Sequence, residues 1–131
     1  MVKKKRGAQE VSDVVEPVAL EETTVDSSLR ASLEEIKKYD GVMGYIRRDT
    51  TSASIDLKDP TKIIDYALLS SLAFDAGKDL SELFDIGDVK DTLVWGTNVK
   101  MLSVIIGENK ISVFMEKNAD AEKVLARLNA S

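Results

Sequence analysis

The sequence predicts an α/β (α+β) domain with the element order α-β-β-α-β-β-β-α, and three observations predict it. Along residues 26–131 the apolar spacing switches between the 3.6 period of helices and the 2.0 period of strands. After residue 88 three strand-like runs follow one another, separated only by Gly96-Thr97-Asn98 and Gly107-Glu108-Asn109, loops of hairpin composition. Between the first strand pair and that meander lies one long apolar segment opened by Asp59-Pro60, a cap followed by proline at the first helical position.

Residues 1–25 stand apart from the domain. They begin Lys3-Lys4-Lys5-Arg6, carry scattered acids (Glu10, Asp13, Glu16, Glu21, Glu22), and keep neither apolar period for long before Pro17 interrupts. Such composition reads as a disordered tail. The cluster Asp26-Ser27-Ser28 then offers side-chain oxygens to the orphan N–H groups of a helix start. Leu29, Leu33 and Ile36 recur at i, i+4 and i+7, which predicts a helix over 28–39 with Gly41 as its left-handed stop.

Val42 to Arg48 follows as a strand apolar on both faces, hence interior to a sheet. After the turn Thr50-Thr51-Ser52, a second strand alternates Ala53, Ile55 and Leu57 with Ser54 and Asp56, so one of its faces is expected to be buried. The long helix runs from Asp59-Pro60 to about Phe84. One stripe, Leu69, Leu72, Ala73, Ala76, Leu80 and Leu83, is expected against the sheet; a second flank holds Ile63, Ala67, Phe74, Ser70 and Gly77. A sheet covers a single stripe of a helix, so the second flank is expected to meet another surface. The meander strands are Val89–Trp95, Val99–Ile106 and Lys110–Met115. A third helix spans Ala119–Leu128, capped by Asn118, with Val124, Leu125 and Leu128 inward.

Composition narrows the function. The chain has 131 residues, no cysteine and no histidine. Disulfides and thiolate metal sites are therefore absent, a cytoplasmic protein is the default, and the commonest general acid–base residue is missing. No run approaches the ~18 apolar residues of a membrane span, and a net charge of −5 argues against coating nucleic acid. No cofactor or metal is expected.

Gly41-Val42-Met43-Gly44-Tyr45-Ile46, directly after the first helix, resembles the G-V-x-G-x-apolar start of the first strand in the roadblock/dynein light-chain family. The short second strand, the long helix with Tyr66-Ala67-Leu68-Leu69 and the meander from Val89 follow in register, so the likeness spans about Leu29 to Met115. The turn Asp49-Thr50-Thr51 departs from the family's frequent Asp-Gly. The resemblance implies a roadblock/profilin-like three-layer α/β/α sandwich with a five-stranded antiparallel sheet. It implies a homodimer in which the long helices pack together and the third strands pair edge to edge. It also implies a non-enzymatic adaptor or scaffold that binds or regulates a small Ras-like GTPase, or a multiprotein complex containing one. With the residue pattern, this places the dimer interface at Ile63, Ala67, Ser70, Phe74, Val89, Leu93 and Trp95.

Other signals are weaker. Gly77-Lys78 lacks the upstream glycine, the Ser/Thr and the preceding strand of a phosphate loop. Asp85, Asp88 and Asp91 lack calcium-loop spacing, and Lys3–Arg6 supplies only a few salt-sensitive contacts. The alternative reading is a small-molecule sensor holding a ligand between sheet and helix. It needs convergent polar groups there, and the expected core stripes offer none.

Overall fold

A computed structural model describes residues 24–131 of the chain. Most of the tail expected over 1–25 lies outside the described residues. The first helix, α1, is Thr24–Ile36, starting before the expected cap cluster, so that Ser27 and Ser28 lie inside it. Then come β1 (Val42–Arg48), β2 (Ala53–Leu57), a 3-10 turn (Pro60–Lys62), α2 (Ile63–Phe84), β3 (Asp91–Trp95), β4 (Val99–Ile106), β5 (Asn109–Glu116) and α3 (Ala121–Asn129). The order α-β-β-α-β-β-β-α is the expected one. No described helix is long and apolar enough to cross a membrane.

The strands form one antiparallel sheet in the order β2-β1-β5-β4-β3. The last strand is therefore the central one. Its two faces support two cores. On one face Leu29, Leu33 and Ile36 of α1 and Val124 and Leu128 of α3 pack on Val42, Tyr45, Leu102, Val104, Ile111, Val113 and Met115. On the other, Ile46, Met101 and Phe114 meet Ala73, with Tyr66, Ala67 and Leu69 of α2 around them. β1 is covered on both sides, as its apolar start requires.

Gly41 and Gly44 shape the path into β1. α1 stops at Ile36, and turn bonds (Tyr39 N–H to Ile36 O, Val42 N–H to Tyr39 O) carry the chain to Gly41. With φ +82, Gly41 turns the backbone into the strand and does not cap the helix; a Cβ there would lie 2.9 Å from that of Ala119. Gly44, at φ +139, sits where the β1–β5 register shifts, a bulge that increases the local twist.

The glycine-free turn closes by side-chain chemistry. Asp49 Oδ1 accepts from the N–H groups of Thr51 and Ser52, both at 2.8 Å, and Arg47 Nη1 lies 3.3 Å from Oδ2. The Thr51 N–H above all, with that of Ser52 and the Arg47 guanidinium, holds the Asp49 carboxyl down to about 2 against the opposing effect of burial. Because the folded value lies below the ordinary 3.8, this stabilisation is present above 3.8 and lost as pH falls through about 2. Titration of the Asp49 carboxyl carbon by NMR should show a midpoint near 2, and the melting-temperature deficit of Asp49→Ala should shrink across that same pH window.

Three expectations are corrected. In β2, Ala53 and Ile55 are exposed because this edge strand lies beyond the footprint of α2. The cap of α3 is Asp120, whose carboxylate accepts from Lys123 N–H, and not Asn118. β3 begins at Asp91, so Val89 and Lys90 belong to its approach.

Candidate functional site: an apolar ridge beside an open strand edge

α2 lies close to the sheet because the residues beneath it are small or flat. Tyr66 stacks on Phe114 with ring centres 4.4 Å apart, and Ser70 Oγ lies 2.6 Å from Ser112 Oγ. Ala73 is buried, and a Cβ at Gly77 would lie 3.3 Å from Val89 Cγ1. The buried residues of α2 are Ser70, Ala73 and Gly77. Small side chains at these positions permit the short helix–sheet distance that the serine pair requires.

The large apolar side chains consequently point elsewhere. Ile64, Leu68, Leu72, Ala76, Leu80 and Phe84 follow one another at strict i+4 spacing, and every one is exposed. Ile64 is 81% exposed, Leu68 60% and Leu72 56%. This is one ridge of the kind that interdigitates with a matching ridge on another helix. Leu83 stands beside it, also exposed. The expected core stripe is thus wrong for Leu72, Ala76, Leu80 and Leu83, and right for Leu69 and Ala73, which face the sheet. The strict i+4 series was the sequence signal that could have revealed the ridge.

The residues expected at an interface divide. Ser70 is buried and bonded to Ser112, so its hydroxyl serves the helix–sheet contact within one chain. Ala67 packs on the core, and Ile63 is half-buried. Phe74 is half-buried, its ring centre 6.0 Å from the Arg48 guanidinium and 5.8 Å from the Lys110 ammonium, contacts that hold it in its own chain. Val89 is half-buried against Gly77. Leu93 and Trp95 stand at the sheet's outer edge with Val94, and Trp95 is 71% exposed. The structure therefore gathers Leu93 and Trp95 at one edge, while the α2 flank chosen from sequence is largely covered.

Two polar features escaped sequence reading. Lys100 is buried, its Nζ 2.6 Å from the carbonyl oxygen of Ala119 and 4.9 Å from the ring centre of Trp95. Ser103, Ser112 and Ser70 form a buried hydroxyl chain, with Ser103 Oγ 2.7 Å from Ser112 Oγ. Ser103 also borders a cavity of about 600 Å³ between the C-terminal half of α2 and the sheet, lined as well by Phe74, Lys78, Ser81, Thr92 and Lys110. Polar groups do converge between helix and sheet, contrary to expectation.

The architecture has counterparts. A roadblock/LC7 domain from Streptomyces avermitilis superposes with a TM-score of 0.62 at 16% identity, covering 80% of this chain and 88% of that one. The chain has the roadblock fold. MglB of Myxococcus xanthus matches with a TM-score of 0.63 at 14% identity over 83% of this chain and 84% of its own. The gliding protein MglB of Thermus thermophilus gives 0.59 at 17% identity, with 81% and 84% covered. No family model and no curated protein matches the sequence. At these identities the roadblock likeness concerns the fold.

Proposed function

We propose that this protein is a non-enzymatic adaptor that pairs with a copy of itself through the α2 ridge and the β3 edge, and in that form binds or regulates a small Ras-like GTPase or a complex containing one. The observation that carries this reading is the unbroken ridge Ile64–Leu68–Leu72–Ala76–Leu80–Phe84 on a roadblock fold whose outer strand is open among the described residues. Contiguous apolar surface of this kind marks an interaction site, and an open edge strand invites pairing. The resemblance at Gly41–Ile46 and through the meander supplies the partner class. With no histidine or cysteine, the chain offers surface more readily than chemistry.

A second reading, ligand sensing, is favoured by the cavity beneath α2, whose lining includes the buried Ser103 and the lysines Lys78 and Lys110. One comparison separates the two. Immobilised protein is incubated with native lysate carrying excess GTPγS or GDP, and the retained proteins are identified. Retention of a Ras-like GTPase in one nucleotide state and not the other supports the adaptor. Absence of any such GTPase, together with a raised melting temperature on adding small anionic metabolites, would transfer the function to the cavity.

A further inference from the structure

Four cations gather around the cavity beneath α2 without counter-charges. Arg48 and Lys110 stand directly opposite each other where β1 pairs with β5, and Ile105 of β4 lies on the other side of Lys110. Lys90 continues this row, its carbonyl oxygen accepting from Ile105 N–H at 3.0 Å. Two residues along the strands, Ser112, Ser103 and Thr92 form the next row of the same sheet face. Phe74, Gly77 and Lys78 of α2 line the cavity from the other side. Like charges directly opposite in a ladder destabilise it. Yet among the described residues none of Arg48, Lys78, Lys90 and Lys110 has a carboxylate partner, in a chain whose net charge is −5. Asp75 and Asp88 also line the cavity, but both are exposed and form no ion pair with these cations.

A buried hydroxyl points to the same space. A serine side chain has one proton to donate, so the chain Ser70–Ser112–Ser103 holds three protons for its two internal bonds. Of the three residues only Ser103, 1% exposed, lines the cavity. A chain running from Ser70 through Ser112 delivers the spare donor there.

The volume of about 600 Å³ suits an organic molecule and far exceeds a lone inorganic ion. Three lysines and the neighbouring Arg48 against two carboxylates leave an excess of two positive charges. A single carboxylate does not balance that, whereas a phosphate monoester carries about −1.5 to −2 and three strong acceptor oxygens. Lysine ammoniums serve as point charges for phosphate, and concave walls of low dielectric concentrate their field. Phe74, Val89 and Ile105 offer apolar surface to the remainder of the molecule. We propose that this cavity binds a small phosphorylated organic molecule, its phosphate held by Lys78, Lys90 and Lys110 with the Ser103 hydroxyl as a further donor. This deepens the ligand-sensing reading above and is independent of how the chain pairs with a copy of itself.

Phenyl phosphate is a suitable probe and benzoate, with one charge, its control. In proton–nitrogen correlation spectra of the full chain, millimolar phenyl phosphate should shift the amides of Ser103, Thr92 and Lys110. Those of Leu68 and Leu72 on the exposed ridge should stay in place. Benzoate should bind about tenfold more weakly or worse. Lys78→Gln combined with Lys110→Gln, both exposed positions, should raise the phenyl phosphate dissociation constant about tenfold or more, with the circular dichroism spectrum unchanged. Undiminished binding by that double variant overturns the proposed site. Shifts with benzoate but none with phenyl phosphate overturn the phosphate assignment and leave the cavity a ligand site. No shift with either compound overturns the proposal and the sensing reading together, while the adaptor reading still stands or falls by the lysate experiment.

Discussion

Replacing Leu68 and Leu72 together by glutamate should give a monomer at tens of micromolar whose circular dichroism and thermal melting match a folded domain. Both side chains are more than half exposed in the single chain, so their replacement removes little from its interior. In a symmetric interface each substitution acts twice. Fully burying one leucine contributes ~1.5–3 kcal/mol; these are 60% and 56% exposed to begin with, so the double variant should lose ~3.5–7 kcal/mol of association. That is at least a few hundredfold in the dissociation constant, read by light scattering or sedimentation. Persistence of a dimer would show that the ridge is not the contact. Phe74→Glu forms the contrast: its ring packs against Arg48 and Lys110 within the chain, so its replacement should lower the melting temperature more than it affects association.

Gly44→Ala should be severe in another way, unfolding the domain or costing ~4 kcal/mol or more of a total that is ~5–15 kcal/mol for domains of this kind. A Cβ at this position would lie 2.7 Å from Leu57 Cα and against the carbonyl oxygen of Asp56, both backbone atoms of the paired strand. At φ +139 the residue also occupies a region open essentially to glycine alone. Neither strand can yield without breaking the ladder around Tyr45 and Ile46, which anchor opposite cores. Gly107, at φ +59 with nothing within 4 Å of an added Cβ, marks the milder limit. There an alanine should cost only the ~1–2 kcal/mol of the left-handed conformation itself. Urea unfolding of the two variants side by side measures the difference.

Much of this architecture was legible because each element has a local cause. The alternation of Ile111, Val113 and Met115, the Asp59-Pro60 start and the Gly-Asn loops each determine structure over a few residues. What failed was orientation. Ranking by hydrophobicity turns the leucines of α2 inward, yet the helix rests on Ser70, Ala73 and Gly77, and a close approach favours small residues over large ones. The side facing the sheet was therefore the one that looked least like core. Leu93 and Trp95 were legible as an open edge because β3 ends in Leu93-Val94-Trp95 without a guarding charge. Lys100 was not, since the carbonyl that holds it arrives from Ala119, after the whole of β5 has intervened.

The central place of β5 bears on how the chain acquires its structure. β1 must find Asn109–Glu116 across about half the sequence, and Tyr66 and Ser70 rest on Phe114 and Ser112. Until that segment leaves the ribosome, α2 lacks the Phe114 and Ser112 on which Tyr66 and Ser70 rest, and β1 has only the short β2 beside it. Non-local pairing of this kind slows folding, because loop closure precedes the contacts that reward it. The nascent chain therefore carries its apolar helix incompletely covered from the completion of α2 until β5 is added, and the interior closes late.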